Sequence, residues 1–198
     1  MFIFILGFLF LTVIQPTFYS SYSTPPAGGP TSTPTPPGGG GNPPTATPTP
    51  PTAGTNPAFF TITPTSASIR KNETLTLVFT LNTGDFEIDG VDLVLSFESE
   101  FLETKSITPK ITSLDYNEPV IDNNAGTVKI SAAGRIQGGT VVGFKGISEY
   151  SEIEFLALET TNSTTISFTG GKNGCWAASA GTNRLDLTKC LPGNYQIK

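Results

Sequence analysis

The chain has no histidine, one methionine, one tryptophan and two cysteines in 198 residues. Without histidine it lacks the usual general base, the usual activator of a nucleophile and the commonest metal ligand. Any catalysis would therefore fall to carboxylates. No charge occurs before Arg70, so all 11 Lys+Arg and 16 Asp+Glu belong to the later part of the chain. The formal net charge of −5 argues against a nucleic-acid binder, for which a basic face is expected. No Lys/Arg cluster near the N-terminus offers a site for anionic lipid. An amphipathic helical stripe is missing as well: no window of about 11 residues repeats its apolar positions at the helical period.

Proline is unevenly spread, with 14 of 17 lying between Pro16 and Pro64. Met1 to Ile14 is apolar apart from Thr12. It is shorter than the roughly 20 residues a spanning helix needs but matches the apolar part of a secretory signal. Ser21-Tyr22-Ser23 offers small residues for cleavage after Ser23, although the usual basic leader is missing. The second reading is a retained anchor, with Phe18, Tyr19 and Tyr22 at the membrane interface. Both readings place the chain outside the cell or on its surface, touching a membrane only through this segment. Thr24 to Pro57 contains only Pro, Thr, Gly, Ser, Ala and Asn. Such a segment cannot bury enough apolar surface to offset chain entropy, so a disordered linker is expected. Stretched as polyproline II it would reach about 100 Å. The expected layout is a signal or anchor over 1–23, a Pro/Thr/Gly-rich linker over 24–57 and a folded domain over 58–198.

In the folded part, Leu75, Leu77, Phe79 and Leu81 alternate with Thr74, Thr76, Val78 and Thr80. Val91, Leu93, Leu95 and Phe97 alternate with Asp92, Val94 and Ser96, and Val128 and Ile130 with Thr127, Lys129 and Ser131. Ile166 and Phe168 flank Ser167 in the same way. Period-two alternation with one apolar face predicts half-buried strands. Further strands are expected near 59–63, 104–108, 119–122, 153–159 and 194–197. Roughly eight to ten short strands separated by Gly, Pro, Asn and Asp predict an all-β sandwich of Greek-key or jelly-roll type.

Gly90-Val91-Asp92-Leu93-Val94-Leu95-Ser96-Phe97, then Phe101-Leu102-Glu103 and Ile107-Thr108-Pro109, resembles the opening of a cohesin domain. Asn124 to Ile130 resembles that family's Gly-Thr hairpin turn, Glu152-Ile153-Glu154-Phe155 its alternating strand, and Gly193 to Ile197 its closing strand. The resemblance covers 59–198 and implies a nine-stranded jelly-roll β-sandwich. It also implies a non-catalytic module that binds a dockerin-type or other surface protein through one sheet face. Ser99-Glu100 stand where the family usually has Asp-Pro, and two cysteines with a neighbouring Trp176 are not typical of it. Strand alternation points Asp92, Val94, Ser96, Thr127, Lys129 and Ser131 outward from two neighbouring strands, which makes them the candidate partner-binding face.

Other functions leave traces too. Trp176 and Tyr116 are the candidates for stacking on sugar rings in a carbohydrate-binding module that takes an extracellular polysaccharide. A third reading makes the sandwich a structural spacer of a surface layer. In an exported chain, Cys175 and Cys190 are expected to form a disulfide closing a 16-residue loop, worth about 3 kcal/mol. No cofactor is expected. Asp85 to Gly90 resembles half of a calcium loop, but Ser96 occupies the position that needs a bidentate carboxylate. Asp115, Asp122, Asn123 and Asn124 remain a candidate structural calcium site. A glycosidase pair sought among Glu98, Glu100, Glu103, Glu149, Glu152 and Glu154 has no cleft signature to single it out. Asn72-Glu73-Thr74 and Asn162-Ser163-Thr164 match the N-glycosylation pattern.

Overall fold

The computed structural model describes residues 55–198. The expected signal or anchor and the linker up to residue 54 lie outside the described residues. Fourteen strands follow in order: β1 (Phe59–Thr63), β2 (Ser66–Ile69), β3 (Thr74–Asn82), β4 (Gly90–Phe97), β5 (Leu102–Pro109), β6 (Leu114–Tyr116), β7 (Val120–Asp122), β8 (Thr127–Gln137), β9 (Thr140–Val142), β10 (Ile147–Ala157), β11 (Thr161–Phe168), β12 (Trp176–Ser179), β13 (Thr182–Asn183) and β14 (Gly193–Ile197). A single 3-10 turn, Leu187–Lys189, is the one helical element among the described residues.

These strands form two sheets. The first has the order β1-β3-β10-β5, all antiparallel. In the second, β2-β14-β11-β4 continues through β8. Along one edge of β4, β11 covers Leu95 to Phe97 and β12 covers Gly90 to Asp92. On the far edge of β8 lie β6, β7 and β9. Counting β1/β2 and β6/β7 as one chain passage each, nine passages build the sandwich, with β9 and the β12–β13 hairpin as additions. This is the expected all-β jelly-roll.

The sandwich closes because the first passage changes sheets. Pro64 has no N–H to continue the ladder with β3, so β1 ends at Thr63. The chain resumes as β2, parallel to β14 in the opposite sheet. The Tyr195 hydroxyl, on β14, donates to the Pro64 carbonyl at 2.9 Å and ties the crossing point to the closing strand. Between the sheets, alternate residues of β3, β4, β8 and β10 pack together: Leu77, Phe79, Leu81, Leu93, Leu95, Val128, Ile130, Ile153 and Phe155 are fully buried. Aromatic rings cross this core, with Phe60 5.6 Å from Tyr150 edge to face and Phe97 5.4 Å from Phe155. Such contacts add to area burial, the main favourable term.

The domain begins earlier than its alternation suggests. The Asp85 carboxylate accepts hydrogen bonds from the backbone N–H groups of Thr55 and Asn56 at 2.9 and 3.0 Å and from the Asn56 side chain. Gly84, at φ +60°, sits so close under the Asn56 carbonyl that a Cβ there would collide with it. Thr55 to Pro57, assigned to the linker from composition, are thereby held on the β3–β4 loop.

Candidate functional site

The six residues of the candidate face lie on one surface. In the antiparallel β4–β8 ladder, Asp92 stands opposite Ser131, Val94 opposite Lys129 and Ser96 opposite Thr127. All share the outward parity, because their neighbours Val91, Leu93, Leu95, Val128 and Ile130 fill the core. Lys129 Nζ reaches diagonally to Asp92 Oδ2 at 3.0 Å, and Ser96 Oγ lies 2.9 Å from Ser167 Oγ on β11. The centre of the face is thus a self-neutralised ion pair beside a short row of hydroxyls. Both partners of the pair remain partly solvated, so it contributes little stability of its own.

One of the six differs from expectation. Val94 has outward parity but is only 9% exposed. Here β4 passes from β11 to β12. The Thr169 N–H donates to the Val94 carbonyl, and Val94 N–H donates to Cys175 Sγ at 3.2 Å. The chain between the two neighbouring strands therefore presses against this point, and Val94 offers little surface to a partner.

The exposed apolar groups of the face come from flanking strands instead. Trp176, on β12, stands opposite Asp92 and is 37% exposed. It lies over Gly90, where a Cβ would come within 3.0 Å of the indole Cζ3. Val120, on β7, stands opposite Lys129 and is 63% exposed. Neither strand is visible in the alternation pattern as a neighbour of β4 or β8, so sequence reasoning missed Val120 and placed Trp176 elsewhere. The only local signal is the consecutive Val120-Ile121 pair after Pro119. Both residues are exposed, unusual for a strand with a buried face.

The two sugar-stacking candidates do not share a surface. Tyr116 stands opposite Ala132, which is buried, whereas Trp176 has the parity of Asp92. The Tyr116 ring packs 5.3 Å from Tyr150. Its hydroxyl donates to the Tyr150 carbonyl at 2.8 Å and accepts from Ile111 N–H at 3.3 Å. Burial pushes its pKa up to about 12.

The expected disulfide is replaced by two buried free thiols. Cys175 Sγ donates to the Val94 carbonyl at 3.0 Å, while Cys190 Sγ accepts from Phe60 N–H at 3.2 Å. Each sulfur thus serves a different strand, Cys175 on β4 and Cys190 on β1. Burial pushes the Cys175 thiol up to about 11 and raises Cys190 as well. Both are protonated, unreactive core residues at neutral pH.

Most of the candidate metal-ligating side chains make hydrogen bonds or ion pairs within the fold. Asp85 holds Asn56, Glu87 accepts from Gly143 N–H at 2.9 Å, and Asp89 accepts from Ala180 N–H at 2.8 Å. The three carboxylates of this run therefore diverge. Asp122 accepts from the N–H groups of Asn124 and Ala125, Asn123 bridges both backbone groups of Thr104, and Asp115 pairs with Arg135 at 2.7 Å. No group of three or more His, Cys, Asp or Glu able to hold a metal occurs among the described residues. Glu152 pairs with Lys110 at 3.1 Å and Glu103 with Lys105 at 3.3 Å, while Glu154 accepts from Ser106 at 2.6 Å. Shallow grooves of about 340–480 Å³ mark the surface. Two of them hold a single carboxylate each, Asp115 in one and Glu73 in another, whereas an acid–base pair needs two in one cleft.

No family model matches the sequence, and no curated protein matches it. Solved structures do. A non-cellulosomal cohesin from the archaeon Archaeoglobus fulgidus superposes with a TM-score of 0.54 at 13% identity, covering 72% of this chain and 91% of that one. A type I cohesin–dockerin complex from Clostridium thermocellum gives 0.58 at 11% identity, covering 73% and 96%. The cohesin module of a family 33 glycoside hydrolase from Clostridium perfringens gives 0.55 at 15%, covering 73% and 98%. The fold is that of the cohesin modules.

Proposed function

We propose that this protein is a non-catalytic, exported binding module whose β4–β8 face docks a dockerin-type module of another protein. The observation that carries this reading is the composition of that face. Two exposed apolar side chains, Trp176 and Val120, flank an ion pair, Asp92–Lys129, that is already neutralised. A large aromatic beside a neutral centre is the pattern of an interface hot spot, where an apolar anchor supplies affinity and the polar surround sets register. The fold shared with the Clostridium thermocellum cohesin, which was solved with a dockerin, supports the choice of partner. Position outside the cell follows in the same proposal from the apolar residues 1–14 and the Pro/Thr/Gly-rich residues 24–57, which would hold the domain away from a surface. A role beside extracellular glycan breakdown belongs to it too, supported by the Clostridium perfringens module, which is part of a glycoside hydrolase.

Titration calorimetry against a panel of recombinant dockerin modules, with calcium and with a chelator, tests this reading. Binding by at least one dockerin, weakened about ten-fold or more by Trp176→Ala, is the expected result. Binding that survives both Trp176→Ala and Lys129→Glu unchanged would move the interface off this face. No binding across the panel would sink the dockerin assignment. N-terminal sequencing and fractionation of the native protein test export; recovery in the cytosol with an intact Met1 would refute it.

A further inference from the structure

A groove lies at the outer surface of β2, β14 and β11, on the same sheet as the face described above and beyond β11 from β4. Its volume is about 480 Å³, and Ser66, Ser68, Asn162, Ser163, Asn194 and Gln196 supply its side-chain polar groups. The strands make these residues converge. In the parallel β2–β14 ladder, Asn194 stands opposite Ser66 and Gln196 opposite Ser68. On the other side of β14, Thr165 stands opposite Asn194. Tyr195 and Ile197, on the inward parity, are buried and hold β14 in place. The result is a grid of outward amides and hydroxyls, spaced about 4.8 Å between strands and about 6.6 Å along them.

An irregularity in β11 completes it. Between Thr161 and Thr164 the pairing with β14 shifts by one residue. This extra residue lets both Asn162 and Ser163 face solvent, while Thr164 turns into the core. The Thr161 hydroxyl fixes the bulge, donating to the Ser163 carbonyl at 3.0 Å and accepting from its N–H at 3.3 Å. Bulges of this kind re-aim side chains and recur beside binding sites. Here the bulge turns Asn162 toward Gln196, and both residues also line a second groove of about 340 Å³ that adjoins the first.

No charged side chain lines the larger groove, and its one aromatic residue, Tyr195, is buried. The lining thus offers a phosphate or carboxylate no charge partner, Lys198 lying in the adjoining groove, and offers an apolar peptide anchor no greasy pocket. The lining amides accept two hydrogen bonds: Asn194 Oδ1 from Thr165 Oγ1, outside the groove, at 3.0 Å, and Gln196 Oε1 from Ser68 Oγ at a long 3.4 Å. Neither uses an amide NH2 group. Asn194 and Gln196 therefore present donors to solvent beside hydroxyls that both donate and accept. Paired donors and acceptors without charge match the vicinal hydroxyls of a neutral sugar chain. We propose that the β2–β14–β11 groove binds an uncharged oligosaccharide, with Asn194, Gln196 and Asn162 as its recognition residues. The groove shares no lining residue with the candidate β4–β8 face, although β11 adjoins β4.

Affinity electrophoresis of the full chain through gels containing xylan, mixed-linkage β-glucan or galactomannan tests it, with polygalacturonate as the charged control. Retardation by at least one neutral polymer and none by polygalacturonate is expected. Asn194→Ala/Gln196→Ala should weaken retardation about ten-fold or more, the loss of a few hydrogen bonds. Both side chains point outward, and a circular dichroism spectrum unchanged from the parent shows that the variant is folded. Trp176→Ala should leave retardation as it is. Absence of retardation by every neutral polymer would overturn the proposal. So would retardation unchanged in the folded double variant, or loss of it in Trp176→Ala instead, while the dockerin titrations stand or fall separately.

Discussion

Single residues here differ most in what burial does to them. Cys175 and Cys190 are buried among strands from both sheets and carry raised pKa values. A thiol reagent at pH 7.5 should label neither in the native protein and should label both after unfolding without reductant. No labelling in denaturant would mean that the two are oxidised to each other. Asp85 is the opposite case. Its carboxylate is held below the ordinary 3.8, first by the Asn56 backbone N–H, then by the Asn56 side chain and the Thr55 N–H. A lowered folded pKa contributes stability that is complete above the unfolded value and lost as pH falls through the folded one. Asp85→Asn should therefore lower the urea midpoint at pH 6, and the difference should shrink as the pH is taken below 3.8. An equal difference at every pH would show that the substitution acts through packing rather than through charge-assisted hydrogen bonds. Gly84, with φ +60° beneath the Asn56 carbonyl, belongs to the same clasp.

At the scale of elements, β4 is the strand on which the proposed docking face depends. Its residues Gly90, Asp92 and Ser96 meet β8 on one edge and β12 or β11 on the other. Gly90 leaves room for the indole of Trp176, so Gly90→Val should displace that ring. The expected result is dockerin binding weakened as in Trp176→Ala, with the melting temperature changed less than by a core truncation. Lys129→Ala removes a partly exposed ion pair and should cost less than about 1 kcal/mol in chemical denaturation. Phe60→Ala should cost about 3–5 kcal/mol, because Phe60 is fully buried and packs on Tyr150 and Phe168. The elements were unequally legible in the sequence. β3 and the first half of β8 show clean alternation. β10 was expected to begin at 153, yet it starts at Ile147. A bulge turns Tyr150 and Ser151 inward together and breaks the period there. β2, β12 and β13 consist mostly of Ser, Thr, Ala or Asn, and β9 is only Thr-Val-Val, so none shows alternating large apolar groups. Their pairing is imposed by neighbours, not by their own pattern.

For the whole molecule, stability should fall at both ends of the pH scale. Cys175 and Tyr116 have folded values of about 11 and 12 against ordinary values of 9.0 and 10.0, both raised by burial. Each favours its neutral form in the folded state. Stability is thus complete below the ordinary values and declines as pH rises from 9 toward the folded ones. A urea midpoint that stays level from about pH 8 to 11 would contradict that burial. The period of two, the absence of helical stripes and the turn residues were enough to specify an all-β sandwich with these inward residues. Alternation also specified which side of β4 and β8 faces out, since a strand with one buried face has no freedom in that choice. The tertiary structure decided everything that depends on which strands become neighbours. It put Trp176 and Val120 beside Asp92 and Lys129, covered Val94, gave each cysteine its own backbone partner, and drew Ser66, Asn162, Asn194 and Gln196 into one groove. Contacts between residues as far apart as Ser66 and Asn194 arise from sheet order and register, which local periodicity does not encode.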